Sequence, residues 1–286
     1  MRSSVRIHAL QTGTVRVKPS QRVGRGRGSI RQLNILLDRS WTESLPIYAW
    51  AIETVDGVII VDTGETAQTR EPGYFPRWHP YFRLAVRLDV TPEQEVGPQL
   101  LKIGIRPEDV RTVILTHLHT DHAGGLHHFP KSEILVCDEE LRLAKGFAGR
   151  LRGYLPNRWP EWFAPSSITF EEIAFGPFAR SRRVTTDANV VIVPTPGHTP
   201  GHVSVIVMDG DVSYFLAGDT SYTQQLLIEQ RVDGVSPDEA VALRTLQTIC
   251  RYAEERAMVH LPTHDPQSGE RLSSRATHVI PERGRS

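Results

Sequence analysis

Six consecutive residues, His117-Leu118-His119-Thr120-Asp121-His122, carry three imidazoles and one carboxylate. They lie at the C-terminal end of the β-branched run Arg111–Leu115, one residue beyond it. This density of ligand-type side chains demands a strand that ends here and a chain that turns sharply. On a continuous strand, His117 and His119 share one face. A turn after the strand brings Asp121 and His122 round to a neighbouring point. Ala123-Gly124-Gly125 come next, and glycine allows both a tight turn and a close backbone approach. Imidazole and carboxylate suit zinc and related first-row metals. One such cluster can serve two metals a few ångströms apart, and each metal then needs ligands from elsewhere in the chain.

Three further residues sit in matching positions just after predicted strands. His198 lies in Thr195-Pro196-Gly197-His198-Thr199-Pro200-Gly201-His202, Asp219 in Ala217-Gly218-Asp219-Thr220, and His264 in Leu261-Pro262-Thr263-His264. A carboxylate has two oxygens, so Asp219 can bridge two metals. Five imidazoles and two carboxylates leave a pair of divalent ions at about +2, and a bridging hydroxide lowers that to about +1. Metal binding lowers the pKa of water from about 15.7 towards 7, which supplies a nucleophile near neutral pH. His202 reads as a supporting residue. His127 and His128 read as surface or loop residues, and His79 and His260 carry no supporting pattern.

The rest of the chain is ordinary by comparison. Lys+Arg and Asp+Glu are both 33 and cancel, so no nucleic-acid footprint and no anionic membrane surface is indicated. The Arg/Gly-rich stretch Gly24-Arg25-Gly26-Arg27-Gly28 reads as a flexible loop. No run of about 18 apolar residues is present to cross a bilayer, and Met1–Arg6 is not followed by a secretory apolar segment. Cys137 and Cys250, the two cysteines, have no metal-ligand or disulfide spacing. A cytoplasmic protein of one domain over residues 1–286 is expected. It carries a Pro- and aromatic-rich insert at about 65–97 and a polar, partly frayed tail from about Arg271.

Strands are predicted at Ile7–Leu10, Thr14–Val17, Ile47–Glu53, Gly57–Val61, Arg111–Leu115, Ile134–Cys137, Val190–Pro194, Val203–Met208, Val212–Ala217 and Ala257–Leu261. Asp56-Gly57 and Asp209-Gly210 read as hairpin turns. Helices are predicted over Pro98–Ile103, from Asp138 to about Phe147, and from Pro237 at the first helical position to about Glu255. Pro156–Pro165 reads as a second aromatic loop. These elements suggest antiparallel strand runs in two sheets packed face to face, with helices outside and a site at one rim.

His117-Leu-His119-Thr-Asp121-His122 resembles the HxHxDH signature of the metallo-β-lactamase superfamily. Asp62-Thr63-Gly64, His198, Gly218-Asp219 and His264 match its other landmarks in order, so the resemblance covers roughly Ile47 to His264. It implies an α/β fold, a four-layer αββα sandwich with the metals at one edge of the sheets. It further implies that His117, His119 and His198 hold one metal, that Asp121, His122 and His264 hold a second, and that Asp219 bridges. Asp62 then supports the metal-binding loops without being a ligand. Two divalent ions are implied, zinc by default, with iron, manganese or cobalt compatible.

Within the superfamily the chain looks like the N-acyl-homoserine lactonases, because Tyr222 lies three residues after Asp219, where those enzymes place a tyrosine. The insert occupies the position of theirs, and its aromatics can wall an acyl chain or simply pack in the core. The resemblance thus implies a small-molecule substrate, a lactone ring opened by a metal-bridging hydroxide, Tyr222 at the carbonyl oxygen and Asp121 as proton shuttle. It leaves room for a homodimer. The alternatives are a phosphotriesterase, a glyoxalase-type thioesterase or another esterase on the same site, a β-lactamase, an oxidoreductase related to flavodiiron proteins, or a binding module without metals. The full set of seven ligand-type residues disfavours the last. The absence of a flavodoxin-like domain after His264 disfavours the oxidoreductase, and the absence of a visible export signal disfavours the β-lactamase.

Overall fold

The computed structural model describes residues 5–277. The expectations for the extreme N-terminus and for the last nine residues of the tail lie outside the described residues. The strands, in chain order, are β1 (Arg6–Val17), β2 (Leu45–Thr54), β3 (Gly57–Val61), β4 (Val86–Asp89), β5 (Val110–Ile114), β6 (Glu133–Val136), β7 (Ser166–Ser167), β8 (Arg182–Arg183), β9 (Val190–Pro194), β10 (Val203–Asp209), β11 (Val212–Gly218) and β12 (Ala257–Pro262). They form a seven-stranded sheet in the order β4-β1-β2-β3-β5-β6-β7 and a five-stranded sheet in the order β12-β11-β10-β9-β8.

Inner strands such as β3 and β9 read as unbroken apolar runs because both faces of each sheet are covered there. Successive side chains alternate between faces. Val190 and Ile192 point into the layer between the sheets, where they meet Trp50, Ile52, Val61 and Ile114 of the larger sheet. Val191 and Val193 point the other way, onto Ala242, Leu246 and Ile249 of the helix Glu239–Glu255. On the far side of the larger sheet, Ala51, Ile60 and Val113 pack against Leu100 of the helix Val96–Lys102 and against Leu126 and Phe129. The layers are therefore helix, sheet, sheet, helix, as the resemblance implies.

Several local expectations are corrected. The two strands Ile7–Leu10 and Thr14–Val17 are one strand, β1, with a register shift between Gln11 and Thr14. The sheets are mixed: β3, β5, β6 and β7 run parallel, and so do β11 and β12. Each of those crossovers is long enough to reverse the chain twice, which a strand pattern alone does not reveal. The helix expected from Asp138 to Phe147 breaks at Lys145 into Asp138–Ala144 and Gly146–Leu151, with Gly146 at φ 68°. Pro237 lies before the long helix, whose N-cap is Asp238, its carboxylate accepting from the backbone N–H groups of Ala240 and Val241. Arg271, taken as the start of the tail, is buried on the helix Ser268–Ser274, where it donates to the His260 carbonyl and the Asp265 carboxylate. Arg25–Gly28 is exposed as a loop should be, but Gly24 is anchored, its N–H donating to the Val232 carbonyl. Among the described residues no helix is long and apolar enough to cross a membrane.

The topology brings five strand ends to one edge. β3 and β5 are parallel. β9, β11 and β12 all point the same way, because β10 is antiparallel to both β9 and β11. Asp62, His117, His198, Asp219 and His264 each follow one of these ends. The placement depends on the core beneath it. Leu115 is fully buried between β5 and the motif. Leu115→Ala should cost about 2–5 kcal/mol through the cavity it leaves. Denaturant titration checks this, and an unchanged unfolding midpoint would contradict the packing described.

Candidate metal centre

All seven ligand-type residues singled out in the sequence converge. His117 Nε2 lies 3.0 Å from His119 Nδ1, which lies 3.1 Å from His198 Nε2. Asp121, His122 and His264 form a second group. In it His264 Nε2 is 3.4 Å from Asp121 Oδ2, and His122 Nε2 is 4.0 Å from Asp121 Oδ1. Asp219 stands between the groups with one oxygen towards each. Its Oδ2 is 3.4 Å from His198 Nε2, and its Oδ1 is 3.4 Å from both His122 Nε2 and His264 Nε2.

The outward nitrogens explain why these rings face inward. His198 Nδ1 is 2.8 Å from Asp233 Oδ2, and His122 Nδ1 is 2.8 Å from Asp62 Oδ2. His264 Nδ1 is 2.9 Å from the Pro46 carbonyl, a group that only accepts. Each acceptor holds an N–H at Nδ1, so a neutral ring turns the Nε2 lone pair to the centre. Burial, reinforced by neighbouring imidazoles, pushes His117 well below the usual histidine range and His119 down to about 3. Both are neutral at pH 7, with lone pairs free. Burial also lowers His198, but Asp233 and Asp219 outweigh it and leave it raised.

Converging lone pairs and carboxylates at these distances repel one another unless cations or protons lie between them. Two buried atoms show the same need: His122 Nε2 and Asp219 Oδ1 have no hydrogen-bond partner. The donor set is nitrogen and oxygen, as first-row divalent ions prefer. The residues thus fit a dinuclear site. They fall into two groups of three around Asp219, which is the pattern expected for a bridging carboxylate.

The ligand loops are held from behind by residues that tertiary folding supplies. Asp62 takes a left-handed conformation at φ 58°, a strained one for a side-chain-bearing residue. Its N–H donates to the Ile114 carbonyl, and its carboxylate accepts from Thr116 N–H and hydroxyl, which fastens β3 to the strand leading into the motif. Glu140 accepts from the N–H of Leu118, the N–H of Gly201 and the Tyr154 hydroxyl, joining two ligand loops through one carboxylate. His202 is lowered to about 3 by burial and by His198. Its neutral Nε2 accepts the Asp219 N–H at 3.1 Å, while Nδ1 pairs with the Thr195 hydroxyl. Gly218, at φ 56°, lets His202 in, since a Cβ there would sit 2.6 Å from His202 Nε2. Burial, with Asp121 nearby, pushes the fully buried Glu65 up to about 8.

Sequence reasoning missed Asp233, Glu140, Glu65 and Gln21. Asp233-Gly234 looks like any turn, as Asp209-Gly210 does, and Glu140 like any acid in a first helical turn. Arg31, which is buried, binds the carbonyls of Val232 and Asp233 and so fixes the loop behind His198.

Beside the cluster lies a cavity of about 350 Å³. His119, Asp121, His198, Asp219 and His264 line one end of it, with Tyr222 next to them. The Tyr222 ring stacks on His264 at 5.4 Å between centroids. Its hydroxyl oxygen accepts from Gln21 Nε2 at 2.9 Å, and the same amide nitrogen donates to the Tyr81 hydroxyl at 3.0 Å. Of the insert, His79, Tyr81 and Phe82 reach the cavity. Trp78 is about half exposed and stacks on Phe147 instead. The insert's aromatics are thus divided among the cavity wall, the outer surface and a buried position away from the cavity, taken by Tyr74.

Comparison with known proteins agrees with this geometry. A family model described as the metallo-beta-lactamase superfamily matches residues 43–249. A probable metallo-hydrolase of Mycobacterium tuberculosis is 31% identical over 83% of this chain and 77% of its own length. An N-acyl homoserine lactonase of Agrobacterium fabrum is 27% identical over 77% of this chain and 80% of its own. A solved structure of an N-acyl homoserine lactone hydrolase, with N-hexanoyl-L-homoserine at its catalytic metal centre, superposes with a TM-score of 0.73. It covers 99% of both chains at 21% identity, which speaks to the fold.

Asp233→Asn tests the geometry from behind. Loss of an outer carboxylate partner of a ligating histidine typically costs 10–100-fold in metal affinity. A chelator competition should show a loss of about that size, with the circular dichroism spectrum retained. Unchanged affinity would mean that His198 does not hold a metal through Nε2.

Proposed function

This chain belongs to the metallo-beta-lactamase superfamily and is a metal-dependent hydrolase, and on that premise we propose that it opens lactone rings, N-acyl-homoserine lactones first among them. In this reading His117, His119 and His198 hold one divalent cation, and Asp121, His122 and His264 hold the other. Asp219 bridges, and zinc is the default metal. The observation that carries the lactonase reading is Tyr222, a phenol at the wall of the cavity beside Asp219, Asp121 and His264. The lactonases among the relatives add support at the level of kinship.

Two divalent cations held here supply an acidified water and polarise a carbonyl oxygen. The chain's own groups do the rest. Burial, then the negative charge of Asp219 and the Tyr81 phenol, hold Tyr222 far above the usual phenol range, so it keeps its proton at neutral pH. Because Gln21 already donates to the Tyr222 oxygen, the phenolic hydrogen is left to donate elsewhere. A carbonyl oxygen gaining negative charge is the acceptor such a donor serves best. Asp121 is the more exposed of the two carboxylates, at 19% against 4% for Asp219. It is the group suited to carry a proton from the attacking water to the departing ring oxygen. The net change is addition of water across the ester C–O bond, which yields a carboxylate and an alcohol.

The walls suit an acyl chain. Val15, Ile35, Leu36, Phe82, Val86 and Leu88 line the cavity away from the polar end. Each methylene buried there contributes about 0.8 kcal/mol. The volume lies within the usual range of small-ligand sites, about 300–1,000 Å³.

Tyr222→Phe should lower kcat/KM for an acyl-homoserine lactone by about 10²–10³, the usual cost of one oxyanion donor, with metal content unchanged. Unaltered kinetics would remove Tyr222 from the reaction. A panel of acyl-homoserine lactones, γ- and δ-lactones, a phosphotriester, a thioester and a cephalosporin tests the substrate class. Turnover of the thioester or phosphotriester without any lactone turnover would overturn the lactonase reading.

A further inference from the structure

A second set of ligand-type side chains lies outside the site just described. Glu95, at the end of the insert, meets His127 and His128, which follow the HxHxDH segment. His127 Nε2 is 3.0 Å and His128 Nε2 is 2.7 Å from the same oxygen, Glu95 Oε2. The two rings lie against each other, 4.1 Å between centroids. From this geometry we propose that Glu95, His127 and His128 form a third divalent-cation site, separate from the seven-residue centre, which clasps the insert to the segment behind that centre.

The spacing fits. Zinc bonds of about 2.0–2.1 Å in a tetrahedron place ligand atoms roughly 3.3 Å apart. The His127 contact, 3.0 Å, is about 0.3 Å short of that and the His128 contact, 2.7 Å, about 0.6 Å short, so the ligand atoms part by that much to admit the ion; the 3.0–3.4 Å contacts of the main cluster lie nearer to it. Two imidazoles and a carboxylate select zinc, cobalt, nickel or copper(II) over magnesium or calcium.

Two ligands are held ready. Glu95 Oε1, the oxygen turned away from the histidines, accepts the Ala67 N–H at 2.8 Å and the Thr66 hydroxyl at 3.1 Å, so the carboxylate cannot swing. His128 is fixed against Gly97, where a Cβ would lie 2.4 Å from His128 Nδ1, so only glycine admits the ring. His127 is the exposed member, at 40% of its side chain, and leaves a side open for water as a fourth ligand.

The position gives the site a consequence. Thr66 and Ala67 begin the insert and Glu95 ends it, so one carboxylate gathers both ends. A cation on its other oxygen ties them to His127 and His128, five and six residues beyond His122. The insert carries His79, Tyr81 and Phe82 into the cavity wall. The third site therefore secures that wall.

The test compares metal uptake by the intact protein and by a His127→Ala/His128→Ala variant. Both are purified identically with the metals of the main centre in place, then titrated with zinc alone by calorimetry and counted by mass spectrometry. The wild type should bind one equivalent per chain more than the variant, and its Tm should rise as that equivalent binds. Equal uptake by the two proteins overturns the proposal, whatever the count at the main centre. Should the double variant fail to fold, His127→Gln serves in its place. Its affinity for the extra zinc should fall at least tenfold, and an unchanged affinity overturns the site. The result is independent of the lactonase reading, which concerns other residues.

Discussion

Five imidazoles and two carboxylates are driven together at one buried edge, and the rest of the molecule is arranged so that they cannot turn away. The force comes from behind the cluster. Asp233, Asp62 and the Pro46 carbonyl each claim the outward nitrogen of one ring, and the inward nitrogens of His198, His122 and His264 are thereby aimed at Asp219. In a low-dielectric interior such an array is unstable without compensating positive charge. The sandwich supplies the rigid frame that opposes this repulsion. Two sheets, each covered on both faces, end their parallel strands at the same edge and fix five loops within a few ångströms. Glu140 and His202 then link the loops to one another, so that moving one ligand disturbs its neighbours.

The same frame explains which parts of the site were legible in the sequence. The seven ligand-type residues were legible as a cluster, because they fall just after strand ends and because four of them lie within six residues. The offset of Tyr222 from Asp219 pointed to a place beside the cluster, and its ring does stand against His264. Asp233 was not, since a lone Asp-Gly pair carries no sign of the histidine it will meet, 35 residues away in the chain. Gln21 was hidden for the same reason, lying 201 residues from Tyr222. His127 and His128 read as loop residues, because nothing in their neighbourhood points to Glu95. The fold was legible as layers, through apolar runs and helix patterns. Strand direction was not, because parallel and antiparallel neighbours share the same alternation when both faces are buried. The early end of the helix at Ala144 was missed because Gly146 only marks a break once its positive φ is seen.

Beyond the ligands, the cavity sets what the centre can be used for. Its polar end is the cluster and its walls are apolar, contributed by β1, by the helix Ser29–Leu37 and by the insert. Such a division is the one that the proposed lactone substrate, a reactive ester at one end and a hydrocarbon at the other, would use. Tyr222 and Tyr81 share the amide nitrogen of Gln21, so the two phenols are placed by one side chain from the N-terminal segment. The cavity wall is thus assembled from distant parts of the chain around a centre built from strand ends.

The proposed chemistry requires two cations in the space between His117, His119, His198 and Asp121, His122, His264, with Asp219 between them. Anomalous-difference maps from crystals of the purified protein, collected above and below the absorption edge of the metal present, test it directly. Two peaks, one within bonding distance of each group of three and both within reach of the Asp219 carboxylate, are the predicted result. A single peak, or none in protein purified without chelator, would contradict it.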